Sequence, residues 1–357
     1  MQDNPLVSVI IPTFNRADIL HRAIDSVVNQ EYTNWELLVV DDRSTDDTTE
    51  TIKEYLSRVS RIKYLINDHK KGPAGARNTG IANAQGKYIA FLDSDDEWLP
   101  HHLKTCVEAL EKEPVDLCFS LWLESSAGKL TKIEEMQGFR EDFEKAFDTL
   151  KPEIKGDLVF FGDSFFEYAI MEYFYCYHIN TIVLKKSILD ATGTFNENLR
   201  SSEDVDFVYR LLESYKFCLI KDHHFIYYEG QDNIYNFIDR NNIDVSQLVY
   251  NKKLVEGMNR NGTNKNEMWK NLKELVGKSP GIKDKKKCIK VINERIALKY
   301  FTLGFINARL SKVRALGYYL NSLAYKPDRA RLLFLFKLLF PVYQTDNTSI
   351  ISDLDFW

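Results

Sequence analysis

The chain has little cysteine, no long apolar run and no basic amino-terminal segment. Its five cysteines, among 357 residues, are scattered without a C-x-x-C pair, so their spacing signals neither a disulfide framework nor a zinc site. The longest apolar run, residues 332–343, is interrupted by Lys337 and Pro341 and is too short to span a bilayer. No signal peptide is predicted from the amino terminus. These absences predict a globular protein of the reducing cytoplasm.

The charged residues are unevenly distributed. Residues 278–340 contain 15 Lys+Arg against 3 Asp+Glu, whereas residues 1–277 contain 32 against 46 and the whole chain carries −5. Basic residues beside bulky apolar ones are typical of a helix that lies on an anionic membrane surface. The alternative is a helical subdomain with a solvated basic face, and both interpretations stay open. No recognised nucleic-acid-binding module accompanies the charge, so no nucleic-acid partner is predicted.

The first half of the chain alternates strand and helix patterns. Four near-continuous apolar runs of the kind buried in parallel sheets occupy residues 6–11, 35–40, 62–66 and 87–92. A segment with helical apolar spacing follows each of the first three. Strands joined through single helices require right-handed crossovers, which predicts an α/β fold with a mostly parallel, Rossmann-like sheet flanked by helices.

The second half is less regular. Residues 124–175 have no clear period and are interpreted as an insertion, either mobile or facing a substrate. A helix is predicted from Val205, and the pattern beyond about residue 234 is helical and increasingly basic. Further strands are predicted at residues 117–123, 180–184, 217–220 and 225–228.

Polar side chains follow three of the predicted strands, where open α/β sheets bind ligands. They are Thr13 and Asn15, then Asp41 and Asp42, and finally the run 93–96. In that run, the first and third carboxylates point the same way as they leave the strand. Two such groups suit Mg²⁺ or Mn²⁺, and the cation in turn suits a diphosphate. The alternative for these four residues is a helix N-cap with solvated neighbours.

Two further segments contain candidate site residues. The glycine-rich run 72–80 opens a helix with Arg77 and Asn78 in its first turn, which favours an anion site. Alone this signal is weak, but beside a carboxylate-bound cation it makes a diphosphate pocket plausible. Glu203 and Asp204 are either an acidic helix start capped by Ser202 or the source of a catalytic base.

The chain resembles family 2 glycosyltransferases over residues 5–230. The resemblance implies the GT-A fold, a nucleotide-diphosphate sugar donor, a divalent metal and an inverting displacement. Six motifs, in the family's order and spacing, carry it: Val7–Arg16, Val39–Asp46, Ala76–Gly80, Phe91–Asp96, Gly193–Glu197 and Ser202–Phe207.

The resemblance also implies roles for individual residues. Asp204 would be the catalytic base, Asp95 the direct metal ligand, and Asp93 a ribose or metal contact. Arg77 would lie by the uridine or the diphosphate. The remaining donor contacts that we predict are Pro12, Thr13, Asn15, Asp41, Asp42 and Asn78, with Pro12, Asp41 and Asp42 in the region of the base.

One departure from the family affects the metal site. Many relatives carry a histidine near the end of the catalytic domain, and Gln231 stands at about that position here. The third metal ligand is therefore open between Gln231, Asp232, His224 and water. We predict a catalytic domain at residues 1–233, with a nucleotide-binding half to residue 100 and an acceptor half beyond it, and a helical region at 234–357.

The resulting prediction is an inverting glycosyltransferase of bacterial polysaccharide biosynthesis. It would move a sugar from a nucleotide donor, with UDP favoured by family habit, to a saccharide or lipid-linked acceptor. We expect it in the cytoplasm, with residues 278–340 on the inner face of the plasma membrane if the basic tail binds lipid. The alternatives are a donor-binding pseudo-transferase or scaffold, and a HAD-like phosphatase with the Asp93–Asp95 segment as its nucleophile motif.

Overall fold

The computed structural model of the chain describes residues 4–229 and 251–339. These residues form two compact units, 4–198 with 203–229, and 199–202 with 251–339. The strands are β1 Val7–Thr13, β2 Trp35–Asp41, β3 Ile62–Ile66, β4 Tyr88–Phe91, β5 Glu97–Trp98, β6 Leu117–Ser126, β7 Lys129–Lys132, β8 Glu153–Lys155, β9 Leu158–Phe160, β10 Val183–Lys185 and β11 Phe217–Tyr228. The helices of the first unit are α1 Leu20–Val28, α2 Thr48–Arg58, α3 Pro73–Asn83, α4 His102–Lys112, α5 Gln137–Leu150, α6 Phe165–Glu172, α7 Leu189–Thr192 and α8 Glu203–Ser214.

The first unit is built on a mixed sheet in the order β3-β2-β1-β4-β10-β6-β11-β9-β8. The strands β3, β2, β1 and β4 are parallel, as the alternation of strands and helices predicts. Strands β1, β2 and β4 are buried along their whole length, which explains their unbroken apolar sequences. The α/β fold class is confirmed, and the carboxyl ends of β1, β2 and β4 lie side by side.

Beyond β4 the sheet changes direction. Strand β10 is antiparallel to both of its neighbours, β4 and β6, while β11 is parallel to β6. The two late strands predicted at 217–220 and 225–228 are one strand, β11, with two register shifts on either side of His223. Residues 124–175, predicted to be irregular, contain β7, α5, β8, β9 and α6.

Helix α3 packs unusually close to strand β1. A Cβ added at Gly80 would lie 2.5 Å from Ile10 Cγ2, which is shorter than any ordinary carbon contact. Glycine is required at this position because the helix backbone lies directly against the strand. The close approach fixes the amino-terminal turns of α3, which include Arg77 and Asn78, over the end of the sheet.

The second unit is helical, as its sequence pattern predicts. Its helices are α9 Lys252–Lys278, α10 Lys285–Asn307, α11 Lys312–Tyr325 and α12 Arg329–Leu339. A small core of Phe301, Ala315, Tyr319 and Phe334 joins α10, α11 and α12. No helix within residues 4–229 and 251–339 combines the length and apolar character needed to cross a bilayer.

Candidate active site

The candidate site lies where β1, β2 and β4 end and where α3 and α8 begin. Pro12 and Thr13 are buried at the end of β1, and Asn15 follows them on the surface with a positive φ of 52°. The Asn15 Oδ1 accepts hydrogen bonds from the backbone N–H and the hydroxyl of Thr45, at 2.8 and 3.4 Å. Asn15 therefore ties the loop after β1 to the loop after β2.

The two carboxylates at the end of β2 hold loops in place. Asp41 accepts hydrogen bonds from the Ser44 N–H and hydroxyl at 2.8 and 2.6 Å and from the Tyr64 hydroxyl at 2.6 Å. Asp42 accepts from Asn67 Nδ2 at 2.5 Å and from the Gly72 N–H at 2.9 Å. Both side chains are buried, so their bonds shape the walls of this end of the sheet; their assignment as donor contacts remains a prediction.

Asn78 is fully engaged by a neighbouring loop. Its Nδ2 donates to the Phe195 carbonyl at 2.9 Å and to Glu197 Oε1 at 2.7 Å, and its Oδ1 accepts from the Phe195 N–H at 2.9 Å. Only 4% of the residue is exposed. These bonds give Asn78 a structural role in holding residues 193–197 against α3, and its assignment as a donor contact stays a prediction.

Arg77 is the centre of the charged network. Its guanidinium is buried and donates to Asp93 Oδ1 at 2.7 Å and to Glu203 Oε1 at 2.9 Å. Burial acts to lower the pKa of Arg77, but the carboxylates of Asp93 and Glu203 outweigh it and raise that pKa. The Arg77 Nε is buried without a partner among the described residues. A cation is thus fixed between the end of β4 and the start of α8.

The two acidic residues that begin α8 have different surroundings. Glu203 is buried, and burial followed by the nearby Asp204 charge raises the pKa of Glu203 to about 7, against the opposing effect of Arg77. Asp204 is partly exposed, and no described residue donates a hydrogen bond to its carboxylate. The sequence predicts Asp204 as a base, and that role stays a prediction, while Glu203 bonds Arg77.

The acidic residues that follow β4 also differ in their surroundings. Asp93 and Asp95 are partly exposed, and burial followed by the Asp93 charge raises the pKa of Asp95. The Asp95 carboxylate lies 3.5 Å from Arg16 Nη2. Asp96 is buried and accepts from Asn180 Nδ2 at 2.6 Å and from the Tyr228 N–H at 2.9 Å. Asp96 is therefore structural, whereas Asp93 and Asp95 face the open edge of the sheet.

The sequence did not indicate His178, nor that Arg16 is the ion-pair partner of Asp95. The His178 ring lies 4.7 Å from that of Phe225, and its Nδ1 accepts from the Asn180 N–H at 3.3 Å. Burial lowers the pKa of His178, while the charges of Asp93 and Asp204 act to raise it. Arg16 lies within the first of the six motifs, so the sequence contained a signal for it; His178 stands in no motif and offered none.

The structure answers the question of the third metal ligand only in part. Gln231 and Asp232 lie outside the described residues. The His224 side chain is buried against His102 and Cys106, and burial followed by the charge of His101 lowers the pKa of His224 to about 3. His224 therefore belongs to a different cluster of side chains, formed with His102 and Cys106.

Part of the chain matches a known family and several known proteins. Residues 8–174 match the family described as glycosyl transferase family 2. A 117-residue segment is 44% identical to the Escherichia coli UDP-Glc:alpha-D-GlcNAc-diphosphoundecaprenol beta-1,3-glucosyltransferase WfgD, covering 33% of this chain and 46% of that protein. A 141-residue segment is 38% identical to the Campylobacter jejuni GalNAc(5)-diNAcBac-PP-undecaprenol beta-1,3-glucosyltransferase, covering 39% and 45%. The match spans less than half the length of these relatives.

Solved structures share the fold. S. aureus TarS aligns with a TM-score of 0.58 at 16% identity, over 93% of this chain and 52% of that one. The mannosyltransferase PcManGT from Pyrobaculum calidifontis, in complex with GDP-Man and Mn²⁺, aligns with a TM-score of 0.52 at 15% identity, over 95% and 88%. The expected GT-A architecture is confirmed, and the comparisons give no support to the phosphatase alternative.

Proposed function

Because residues 8–174 match glycosyl transferase family 2, we propose that the chain is an inverting glycosyltransferase of polysaccharide biosynthesis. It transfers a sugar from a UDP-sugar donor to a lipid-linked saccharide. The donor and the acceptor class are proposed from relatives that are named for UDP-glucose and undecaprenol-linked substrates. The proposal rests on two groups at one edge of the sheet. They are the partly exposed carboxylate of Asp204 and the buried guanidinium of Arg77, which bonds Asp93.

Asp204 is proposed as the general base. A single displacement needs one carboxylate to accept the proton of the attacking hydroxyl, on the face of the sugar opposite the leaving group. Asp204 is exposed enough to meet an acceptor and has no described hydrogen-bond donor to satisfy it. As the Asp204 carboxylate accepts the proton, the acceptor oxygen attacks the anomeric carbon and the bond from that carbon to the diphosphate breaks on the opposite face. UDP leaves, and an α-linked donor gives a β-linked product.

Arg77 and a divalent cation are proposed to act on the leaving group. The residues at the end of β4 fit such a cation, because the neighbouring Asp93 and Asp95 repel each other strongly enough to contribute to the raised pKa of Asp95. Asp93 and Asp95 would hold the ion, which when bound supplies charge neutralisation to the diphosphate. The Arg77 guanidinium, fixed by Asp93 and Glu203, adds a positive charge that needs no reorganisation during the reaction.

Titration calorimetry of the full chain with UDP, in the presence and absence of Mn²⁺, tests the donor site. We expect binding that depends on Mn²⁺, and we expect Asp95→Ala to weaken it by about tenfold or more, or about 1.4 kcal/mol. Asp190→Ala, which removes an exposed carboxylate on α7, is the matched control and should bind like the unchanged chain. Failure of folded protein to bind UDP, GDP, dTDP and CMP would contradict the transferase proposal. Mn²⁺-independent binding unaffected by Asp95→Ala would contradict only its metal component.

We further propose that the basic helical unit contacts the inner face of the plasma membrane. The segment 309–314, which runs from the turn after α10 into the start of α11, exposes three cations: Arg309, Lys312 and Arg314. Beside them lie two exposed apolar residues, Leu310 with 42% and Val313 with 83% of its surface accessible. Apolar groups flanked by cations suit insertion between anionic headgroups. This contact would keep the enzyme in the cytoplasm and close to a lipid-linked acceptor.

Co-sedimentation with phosphatidylglycerol vesicles tests the membrane contact. The full chain should sediment with the vesicles at low salt and less at high salt, because the attraction is screened. Val313→Glu should reduce the bound fraction several-fold, whereas Leu130→Glu, at an equally apolar exposed position on β7, should not. If both variants sediment with the vesicles to the same extent as the unchanged chain, this segment is not the membrane contact.

A further inference from the structure

Three metal-binding side chains meet in the interior of the first unit, apart from the acidic run after β4. The Nδ1 atoms of His102 and His224 are 3.1 Å apart, and Cys106 Sγ lies 3.7 Å from the first and 3.8 Å from the second. All three residues are completely buried. The three potential ligand atoms thus form a compact triangle that is closed to solvent.

The fold brings these residues together from two elements. His102 and Cys106 are four residues apart on α4 and therefore share one face of that helix. His224 lies on β11 within the stretch of shifted register, and its carbonyl accepts from the Leu99 N–H at 2.8 Å. The triangle joins the first turns of α4 to β11, which no sequence spacing reveals because 118 residues separate Cys106 from His224.

Hydrogen bonding satisfies this cluster poorly. Two neutral imidazoles with facing Nδ1 atoms can share only one proton, and the Nε2 atoms of His102 and His224 are buried without partners among the described residues. A buried polar cluster with so few hydrogen bonds is costly, and the facing Nδ1 atoms in particular call for an explanation. A bound cation would use both Nδ1 lone pairs and the thiolate at the same time.

The spacing of the triangle fits a tetrahedral zinc ion. Zinc–nitrogen bonds of about 2.05 Å and a zinc–sulfur bond of about 2.3 Å place nitrogen atoms about 3.3 Å apart and nitrogen about 3.6 Å from sulfur. The observed separations of 3.1, 3.7 and 3.8 Å match these values without rearrangement. We propose that His102, Cys106 and His224 bind one Zn²⁺ ion that fastens α4 to β11, separately from any cation at Asp95.

The surroundings suit zinc better than Mg²⁺ or Mn²⁺. Imidazole and thiolate are the ligands that zinc prefers, whereas the harder cations prefer oxygen. The Cys106 thiolate cancels one positive charge, and the Asp222 carboxylate lies within 4.8 Å of a ring nitrogen of His224. A negative charge at this distance favours a cation in the cluster. Three protein ligands leave one coordination position that no described side chain fills.

Elemental analysis of the full chain, expressed with zinc and purified without chelator, tests the proposal. We expect about one equivalent of zinc, retained in Asp95→Ala and lost in Cys106→Ala and His224→Ala. Cys176→Ala, which truncates another fully buried cysteine, should retain the zinc and controls for the loss of a buried thiol. Removal of the zinc by a chelator should lower the melting temperature of the unchanged chain and leave that of Cys106→Ala unchanged.

Cobalt substitution keeps the proposal testable if Cys106→Ala does not fold. Co²⁺ bound by the unchanged chain should give the visible bands of a tetrahedral site and the near-ultraviolet charge-transfer band of a thiolate ligand. Zinc absent both after purification and after reconstitution would overturn the proposal. Zinc present in Cys106→Ala at the level of the unchanged chain, or lost from Asp95→Ala, would overturn it as well.

Discussion

Asp204→Asn is expected to lower kcat by about 10² to 10⁴-fold and to leave the affinity for UDP unchanged. A positioned general base contributes a factor of this size, and an amide cannot accept the proton. Donor affinity should persist because Asp204 bonds none of the described residues that surround the diphosphate site. Sugar transfer to an undecaprenol-linked or short saccharide acceptor measures the first effect, and calorimetry with UDP measures the second.

Asp206→Asn is the comparison variant for Asp204. Asp206 lies on the same helix but is buried and accepts from Arg210 Nε at 3.1 Å, so its replacement should affect stability more than turnover. Near-normal turnover in Asp204→Asn would assign the base to another residue. A chain that binds UDP but transfers no sugar, with or without Asp204, would support the scaffold alternative.

Arg77→Met is expected to lower the free energy of unfolding by about 3–5 kcal/mol. Removal of one partner from a buried ionic network leaves the other charges without compensation. The loss of Arg77 leaves the buried Glu203 and the partly exposed Asp93 without the cation that they share. Urea denaturation measures the effect, and the same variant should lose sugar transfer.

Two controls separate the buried network from ordinary ion pairing. Arg77→Met combined with Glu203→Gln should recover part of the lost stability, because one of the unpaired charges is then also removed. Lys104→Met breaks an exposed pair with Glu31 and should cost less than about 1 kcal/mol. Equal losses for Arg77→Met and Lys104→Met would show that the network contributes no more than a surface pair.

The sheet could be predicted because its strands are buried on both faces. Parallel strands under helices must be apolar along their length, and that pattern is local in the sequence. Strands β1, β2 and β4 were located within two residues for this reason, and the less buried β3 was located by its apolar sequence. Strand β11 was predicted as two strands because its exposed middle, Lys221 and Asp222, interrupts the apolar pattern although the backbone continues.

The candidate site was only partly predictable. The motif positions identified Asp93, Asp95, Arg77 and Asp204, of which Arg77 and Asp93 form an ion pair and the other two lie beside it. The ion pair between Arg77 and Glu203 joins residues 126 positions apart, and no period or spacing in one sequence records such a contact. The hydrogen bonds of Asn78 to the loop at residues 193–197 were not predictable either, because only the folded chain brings that loop to α3.

The two ion pairs of Arg77 couple the end of β4 to the start of α8 thermodynamically. One guanidinium bonds a carboxylate at the end of β4 and another at the start of α8, so the free energy of each pair depends on the charge of the other. Such coupling is reciprocal. Protonation of Asp93 shifts the protonation equilibrium of Glu203, and protonation of Glu203 shifts that of Asp93 by the same factor.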